Sequence, residues 1–189
     1  MNEWKKRPII LDCDPGVDDA FAIAMAFLED DLDVRAIHTV AGNVTVEHTT
    51  KNARGLVKVL GVDVPIAKGA SGPLICDPHF AAEVHGENGF GGVELTDLAP
   101  LSEQTAMESY VTLLSEADEK VTIVATGPLT NLALLIKSYP HLLEKIDCIS
   151  LMGGGLKGGN TTSAAEFNFF YDPHAAHIVF SSGLQNYQA

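Results

Sequence analysis

Short apolar runs alternate with amphipathic stretches along most of the chain. Residues 8–11, 34–40, 64–67, 121–125 and 148–152 are compact apolar runs and predict five buried strands. Between them, residues 18–30, 46–60, 103–117 and 129–137 read as helices, and residues 172–180 begin another. Segment 18–30 is apolar nearly all round, which predicts a well-buried helix. Segment 46–60 is amphipathic, with Gly61 as its stop. Two stretches, 68–100 and the glycine-rich 153–171, have little periodicity; loops of such length are uncommon unless functional.

Strands alternating with helices at this spacing imply βαβ units. The expected class is α/β, an open and mostly parallel sheet with helices on both faces, in one domain spanning residues 1–189. Ser181-Ser182-Gly183-Leu184 should lead into a sixth strand. Residues 185–189 are polar and show no strand pattern, so the architecture reads as incomplete at its C-terminus.

Composition narrows the function classes. The net charge of −13 argues against nucleic acid as a partner, because that affinity rests on Lys and Arg neutralising phosphates. It suits a bound cation, although a solvated acidic surface accounts for most of it. Cys13, Cys76 and Cys148 are odd in number and far apart, which disfavours a disulfide framework or a zinc site. No signal-type segment follows the basic start, and the longest apolar run, 20–28, is too short to cross a bilayer. The expectation is a cytoplasmic protein with no membrane role.

In open parallel sheets ligands bind outside the carboxyl ends of the strands. Asp12, Asp14, Asp18 and Asp19 follow the first predicted strand, Asn43 the second, Thr126 the fourth, and Asn160, Glu166 and Asn168 the fifth. Four carboxylates within eight residues repel one another, so either a proton or a cation must sit among them. Hard oxygen ligands favour calcium or magnesium. Helix capping and the helix dipole would explain one or two of these acids, not four. Ile23 stands where an EF-hand loop needs its glutamate, which excludes that motif. Gly153-Gly154-Gly155-Leu156-Lys157-Gly158 fits G-x-G-x-x-G formally, but no helix pattern follows it, which excludes a dinucleotide site. An Asp-x-Asp phosphohydrolase using magnesium remains as a second enzyme class, although Pro15 follows the second acid and the later motifs then have no role.

Asp12-Cys13-Asp14-Pro15-Gly16-Val17-Asp18-Asp19-Ala20 resembles the N-terminal signature of the nucleoside hydrolases. Thr39-Val40-Ala41-Gly42-Asn43, Val84-His85-Gly86-Glu87-Asn88-Gly89, Ala125-Thr126-Gly127-Pro128-Leu129-Thr130-Asn131, Met152-Gly153-Gly154 and Ala165-Glu166-Phe167-Asn168 follow in the family's order. The likeness runs from about Pro8 to Gly183 and is greatest to the broad-specificity bacterial ribonucleoside hydrolases. It implies cleavage of the N-glycosidic bond of ribonucleosides by a calcium-bound, Asp-activated water, in a homo-oligomer, dimer or tetramer. By resemblance, Asp14 is calcium ligand and general base, Asp19 a bidentate ligand, and Thr126 a carbonyl ligand. Asp18, Asn43, Asn160, Glu166 and Asn168 bind ribose hydroxyls, Met152 lies beside the sugar, and His85 lies near the departing base. Each has a plainer competitor: a left-handed turn for Asn43, a helix cap for Thr126, core packing for Met152, an ordinary loop position for His85, a solvated loop face for Glu166 and Asn168.

Family members continue well beyond this length and supply a further Asp to the calcium and, in many, a nearby His. The expectation is therefore weak or no hydrolase activity for these 189 residues alone, with a calcium- or ribose-binding remnant as the non-enzymatic alternative.

Overall fold

In a computed structural model, which describes residues 5–81 and 86–189, the described elements form a six-stranded parallel sheet in the order β3-β2-β1-β4-β5-β6. The strands are β1 (Arg7–Cys13), β2 (Leu32–Thr39), β3 (Ile66–Lys68), β4 (Val121–Ala125), β5 (Ile146–Leu151) and β6 (Asn186–Gln188). The helices are α1 (Val17–Leu28), α2 (Val46–Leu60), α3 (Ala106–Glu116), α4 (Thr130–Ser138), α5 (Phe167–Tyr171) and α6 (Pro173–Phe180). The expected α/β class and both-faced covering hold.

The period-two geometry of a strand divides the core. Ile9, Leu11 and Cys13 of β1 pack with Ile23 and Ala26 of α1 and with Ala53 and Val57 of α2. Ile10 faces the other way, into a larger core built from Ile123, Tyr110, Leu114, Leu132, Leu135 and Val179. That second face carries α3, α4 and α6. Gly61 ends α2 at φ 66°, the left-handed conformation that a side chain would oppose.

Three expectations change. Helix α1 is not well buried: Ile23 and Ala26 are covered, but Phe21, Met25 and Leu28 are 69, 62 and 78% exposed. A helix apolar on every side needs neighbours on every side, and the residues that pack against α1 from β1, β2, β4 and α2 cover the side that carries Ile23 and Ala26. The polar tail does form a sixth strand. Asn186–Gln188 pairs with Ile149–Leu151, because an edge strand needs only backbone partners and no apolar alternation. Finally, the excursion 153–171 ends in the short helix α5, whose first turn is capped by the Glu166 carboxylate.

The described residues contain no helix long and apolar enough to cross a membrane, and all three cysteines are free. Replacing Ile123, fully buried at the sheet centre, with Ala should lower unfolding free energy by about 2–5 kcal/mol. Phe21→Ser on the open side of α1 should change it by no more than about 0.5 kcal/mol. Urea denaturation of both variants checks the pair; a large loss from Phe21→Ser would show that the outer side of α1 is covered.

Candidate active site

The strand order reverses direction between β1 and β4, and at such a point the loops leaving adjacent strands part to open a crevice. Cys13 pairs with Thr39 and Asp12 with Ala125, so the carboxyl ends of β1, β2 and β4 lie level. Asp14, Asn43 and Thr126 leave these ends within a few residues of one another.

Asp14 is 1% exposed. The Asn43 backbone N–H donates to its Oδ2 at 2.6 Å, and the Asn43 side chain donates to the Asp14 carbonyl at 3.1 Å. Gly42 and Gly127 flank the carboxylate so closely that a Cβ on Gly42 would overlap Oδ2, and one on Gly127 would lie 2.7 Å from Oδ1. Burial raises the Asp14 pKa well above the usual carboxylate range, the Asp19 charge raises it further, and the Asn43 N–H opposes both. The buried Asp19 accepts from the Gly16 N–H at 3.1 Å and from the Thr126 hydroxyl at 2.5 Å. Its carboxylate both organises the first turn of α1 and ties that turn to the end of β4.

Asn168 reaches the same edge from α5. Its side-chain amide donates to the carbonyls of Thr126 (2.9 Å) and Met152 (3.1 Å). Glu166 accepts from the backbone N–H groups of Asn168 and Gly154, at 3.0 and 2.8 Å. Asn160 accepts from the Phe167 N–H at 2.8 Å. Asp14, Asp18, Asp19, Asn43, Thr126, Met152, Asn160, Glu166 and Asn168 all line one cleft of about 430 Å³, within the ~300–1,000 Å³ of small-molecule sites.

The plainer competitors fare poorly. No described non-glycine residue has positive φ, so Asn43 is not held in a left-handed turn. Leu129, not Thr126, caps α4, and Met152 is exposed to the cleft rather than in the core. Glu166 and Asn168 are buried, not solvated. His85 lies outside the described residues.

Asp12 separates from the other acids. It points into the core, where Tyr110 donates to it at 2.8 Å and Asn131 at 3.1 and 3.2 Å. An Asp-x-Asp phosphohydrolase needs both acids on its ligand, and here only the second faces the cleft. Four aromatic lining residues were not foreseen: His79, Phe80, Phe167 and Phe170, with His79 and Phe170 in edge contact at 6.0 Å. Phe167 stands inside a quoted motif. The others sit in aperiodic or newly helical segments where an aromatic residue carries no positional signal.

The family model for the inosine-uridine preferring nucleoside hydrolases matches residues 9–188. The chain belongs to that family. It is 49% identical over 180 residues to the pyrimidine-specific ribonucleoside hydrolase RihA of Escherichia coli (strain SMS-3-5 / SECEC), covering 94% of this chain and 58% of that one. RihA of Photobacterium profundum is 48% identical over the same shares. Among solved structures, a purine-preferring ribonucleoside hydrolase from Gardnerella vaginalis superposes with TM-score 0.90 at 34% identity, covering 96% of this chain and 60% of that one. The plant nucleoside hydrolase PpNRh1 does so with TM-score 0.89 at 35% identity, covering 97% and 59%. This chain thus spans a little over half the length of these family members.

Burial also sets a pH dependence. It pushes the Asp12 carboxyl up to about 7 against the lowering by Tyr110 and Asn131. An unfolded Asp releases its proton near 3.8, so between pH 4 and 7 the unfolded chain is the less protonated state. Stability from this group is full below about pH 4, falls as pH rises to about 7, and is flat above; the raised Asp14 extends the fall. In a chelator, the urea midpoint should be lower at pH 8 than at pH 5, and Asp12→Asn should make that difference smaller. A midpoint that rises with pH would contradict the assignment.

Proposed function

We propose that this chain carries the metal and ribose half of a ribonucleoside hydrolase site, which cleaves the N-glycosidic bond to give ribose and a free base. The observation that carries the reading is the meeting of the Asp14 and Asp19 carboxylates with the Thr126 end of β4, beside Asn43, Glu166 and Asn168.

The donor set fits a hard divalent cation. Asp14 is buried with only backbone N–H groups, those of Asn43 and of its own residue, on its carboxylate among the contacts described, and Asp19 stands close enough to raise its pKa. No cluster of three or more His, Cys, Asp or Glu that could hold a metal occurs among the described residues, so these two acids and the Thr126 carbonyl form a partial shell. Calcium suits such a shell better than magnesium, because it accepts loose geometry and many oxygen ligands. Bound there, it would polarise a water and ribose hydroxyls and so lower the pKa of the nucleophile.

The remaining roles fall to side chains. Asp14, kept short of hydrogen bonds, accepts the proton of the attacking water. Asp18, Asn43, Asn160, Glu166 and Asn168 bind ribose hydroxyls, so a deoxyribose would leave buried polar groups unpaired. The carboxylates also stabilise the positive charge that develops on the sugar. Met152 packs beside the ring. His79, Phe80, Phe167 and Phe170 offer aromatic surface to the base. The RihA names favour pyrimidine ribonucleosides, uridine and cytidine, as substrates.

Calorimetry with calcium, then with ribose, should show binding of both. Uracil release from uridine should depend on calcium, exceed release from deoxyuridine, and fall at least about 100-fold in Asp14→Ala. Binding of both ligands with no release would reduce the chain to a ribose-binding unit. No calcium binding at all would overturn the metal reading.

A further inference from the structure

Asp12 takes no part in the site as described, yet it lies directly beneath it. Its carboxylate is 2% exposed and receives donors from two helices: the Tyr110 hydroxyl of α3, and Asn131 at the second position of α4. Tyr110 is fixed in turn by the edge of the buried His38 ring at 4.1 Å, and His38 shares a 2.9 Å hydrogen bond with Ser109.

Asn131 does more than neutralise a buried acid. Its amide nitrogen also donates to the Thr39 carbonyl at the end of β2, at 3.1 Å, and its Oδ1 accepts from the Ala70 N–H just past β3, at 2.8 Å. The backbone at Gly69 approaches so closely that a Cβ there would overlap both Asn131 side-chain atoms and the Thr39 carbonyl. The Asp12 backbone carbonyl meanwhile accepts from the Thr126 N–H at 2.9 Å. The ends of β1, β2 and β4, with the loop after β3, are therefore gathered on one Asp12–Asn131 pair. These are the strands that present Asp14, Asn43 and Thr126.

We propose that Asp12 and Asn131 are positioning residues: a buried carboxylate–amide lock that fixes the spacing between Asp14, Asn43 and Thr126, acting on the site without touching the ligand. The inference rests on the reading of those three residues as the metal and ribose edge. A side-chain amide suits the task because its two N–H groups can serve Asp12 and Thr39 together while its oxygen holds a third element. Alanine at 131 would leave a buried carboxylate, a carbonyl and an N–H short of partners at once. Outer partners of this kind carry roughly 10- to 100-fold in metal affinity.

The test is amide hydrogen exchange on the 189-residue chain, joined to calcium calorimetry. In Asn131→Ala, exchange at the Asn43 and Thr126 amides should rise at least about 10-fold, with Ile149 in the middle of β5 unchanged, and calcium affinity should fall about 10-fold or more. Asp12→Asn, which keeps volume, should move the same two amides and serves if Asn131→Ala fails to fold. Ile123→Val, a mild core change, should leave both calcium affinity and the Asn43-to-Ile149 exchange ratio as in the parent. A folded Asn131→Ala or Asp12→Asn chain with parental exchange at Asn43 and Thr126 overturns the lock. Raised exchange at those amides in a chain whose parent binds no calcium upholds the lock and defeats the metal reading instead.

Discussion

Two carboxylates are buried two residues apart where β1 ends, and the molecule answers them in opposite ways. Taking an ionised carboxylate out of water costs several kcal/mol even after relaxation. Asp12 is met by three donor contacts from the Tyr110 and Asn131 side chains, whereas the Asp14 carboxylate is met by backbone N–H groups and stands beside the charge of Asp19. The first acid is satisfied by the protein and holds elements together. The second, on the proposed reading, is left for a cation and the substrate. Alternation turns Asp12, with Ile10, into the core formed with α3 and α4, and it would turn Asp14 the same way; the division arises because β1 ends at Cys13, which leaves Asp14 beyond the last paired residue and lining the cleft.

Room for Asp14 comes from neighbouring strand ends. The carboxylate lies between the loop after β2 and the loop after β4, and both place a glycine against it. A side chain at Gly42 would occupy the position of an Asp14 oxygen, so glycine there is a steric requirement, as the Asn43 N–H that follows is a hydrogen-bond donor to the same carboxylate. Gly127 performs the same service after Thr126. The motifs on separate strands are thus complementary surfaces of one buried acid, which explains why they had to be level and why a parallel order that places β1 between β2 and β4 delivers the site.

Much of this was legible in the sequence because it is local. Apolar runs gave five of the strands, and Gly61 ended α2 where a left-handed residue was expected. What escaped was what depends on distant partners. The coverage of α1 depends on which elements exist to pack against Phe21, Met25 and Leu28. The strand at Asn186–Gln188 is held by backbone bonds to β5, to which side-chain pattern is blind. Asn131 stood inside a quoted motif without a role, because its partners Asp12 and Thr39 lie 119 and 92 residues away. His79 and Phe170 are likewise remote in the chain and meet only in the folded cleft. His85 lies outside the described residues.

Glu166 and Asn168 show how polar residues can be both structural and ready for a ligand. Glu166 caps α5 and holds the Gly154 N–H, so each of its oxygens is already anchored by a backbone donor. Asn168 spends its amide on the Thr126 and Met152 carbonyls, leaving its side-chain oxygen outside those bonds. Glu166 Oε1, held by one N–H, keeps lone-pair capacity for a second donor. Under the proposed function, acceptors held this way would need little reorganisation as charge develops on a bound sugar, where electrostatic stabilisation is most effective. The bonds that cap α5 are therefore the same bonds that aim the cleft.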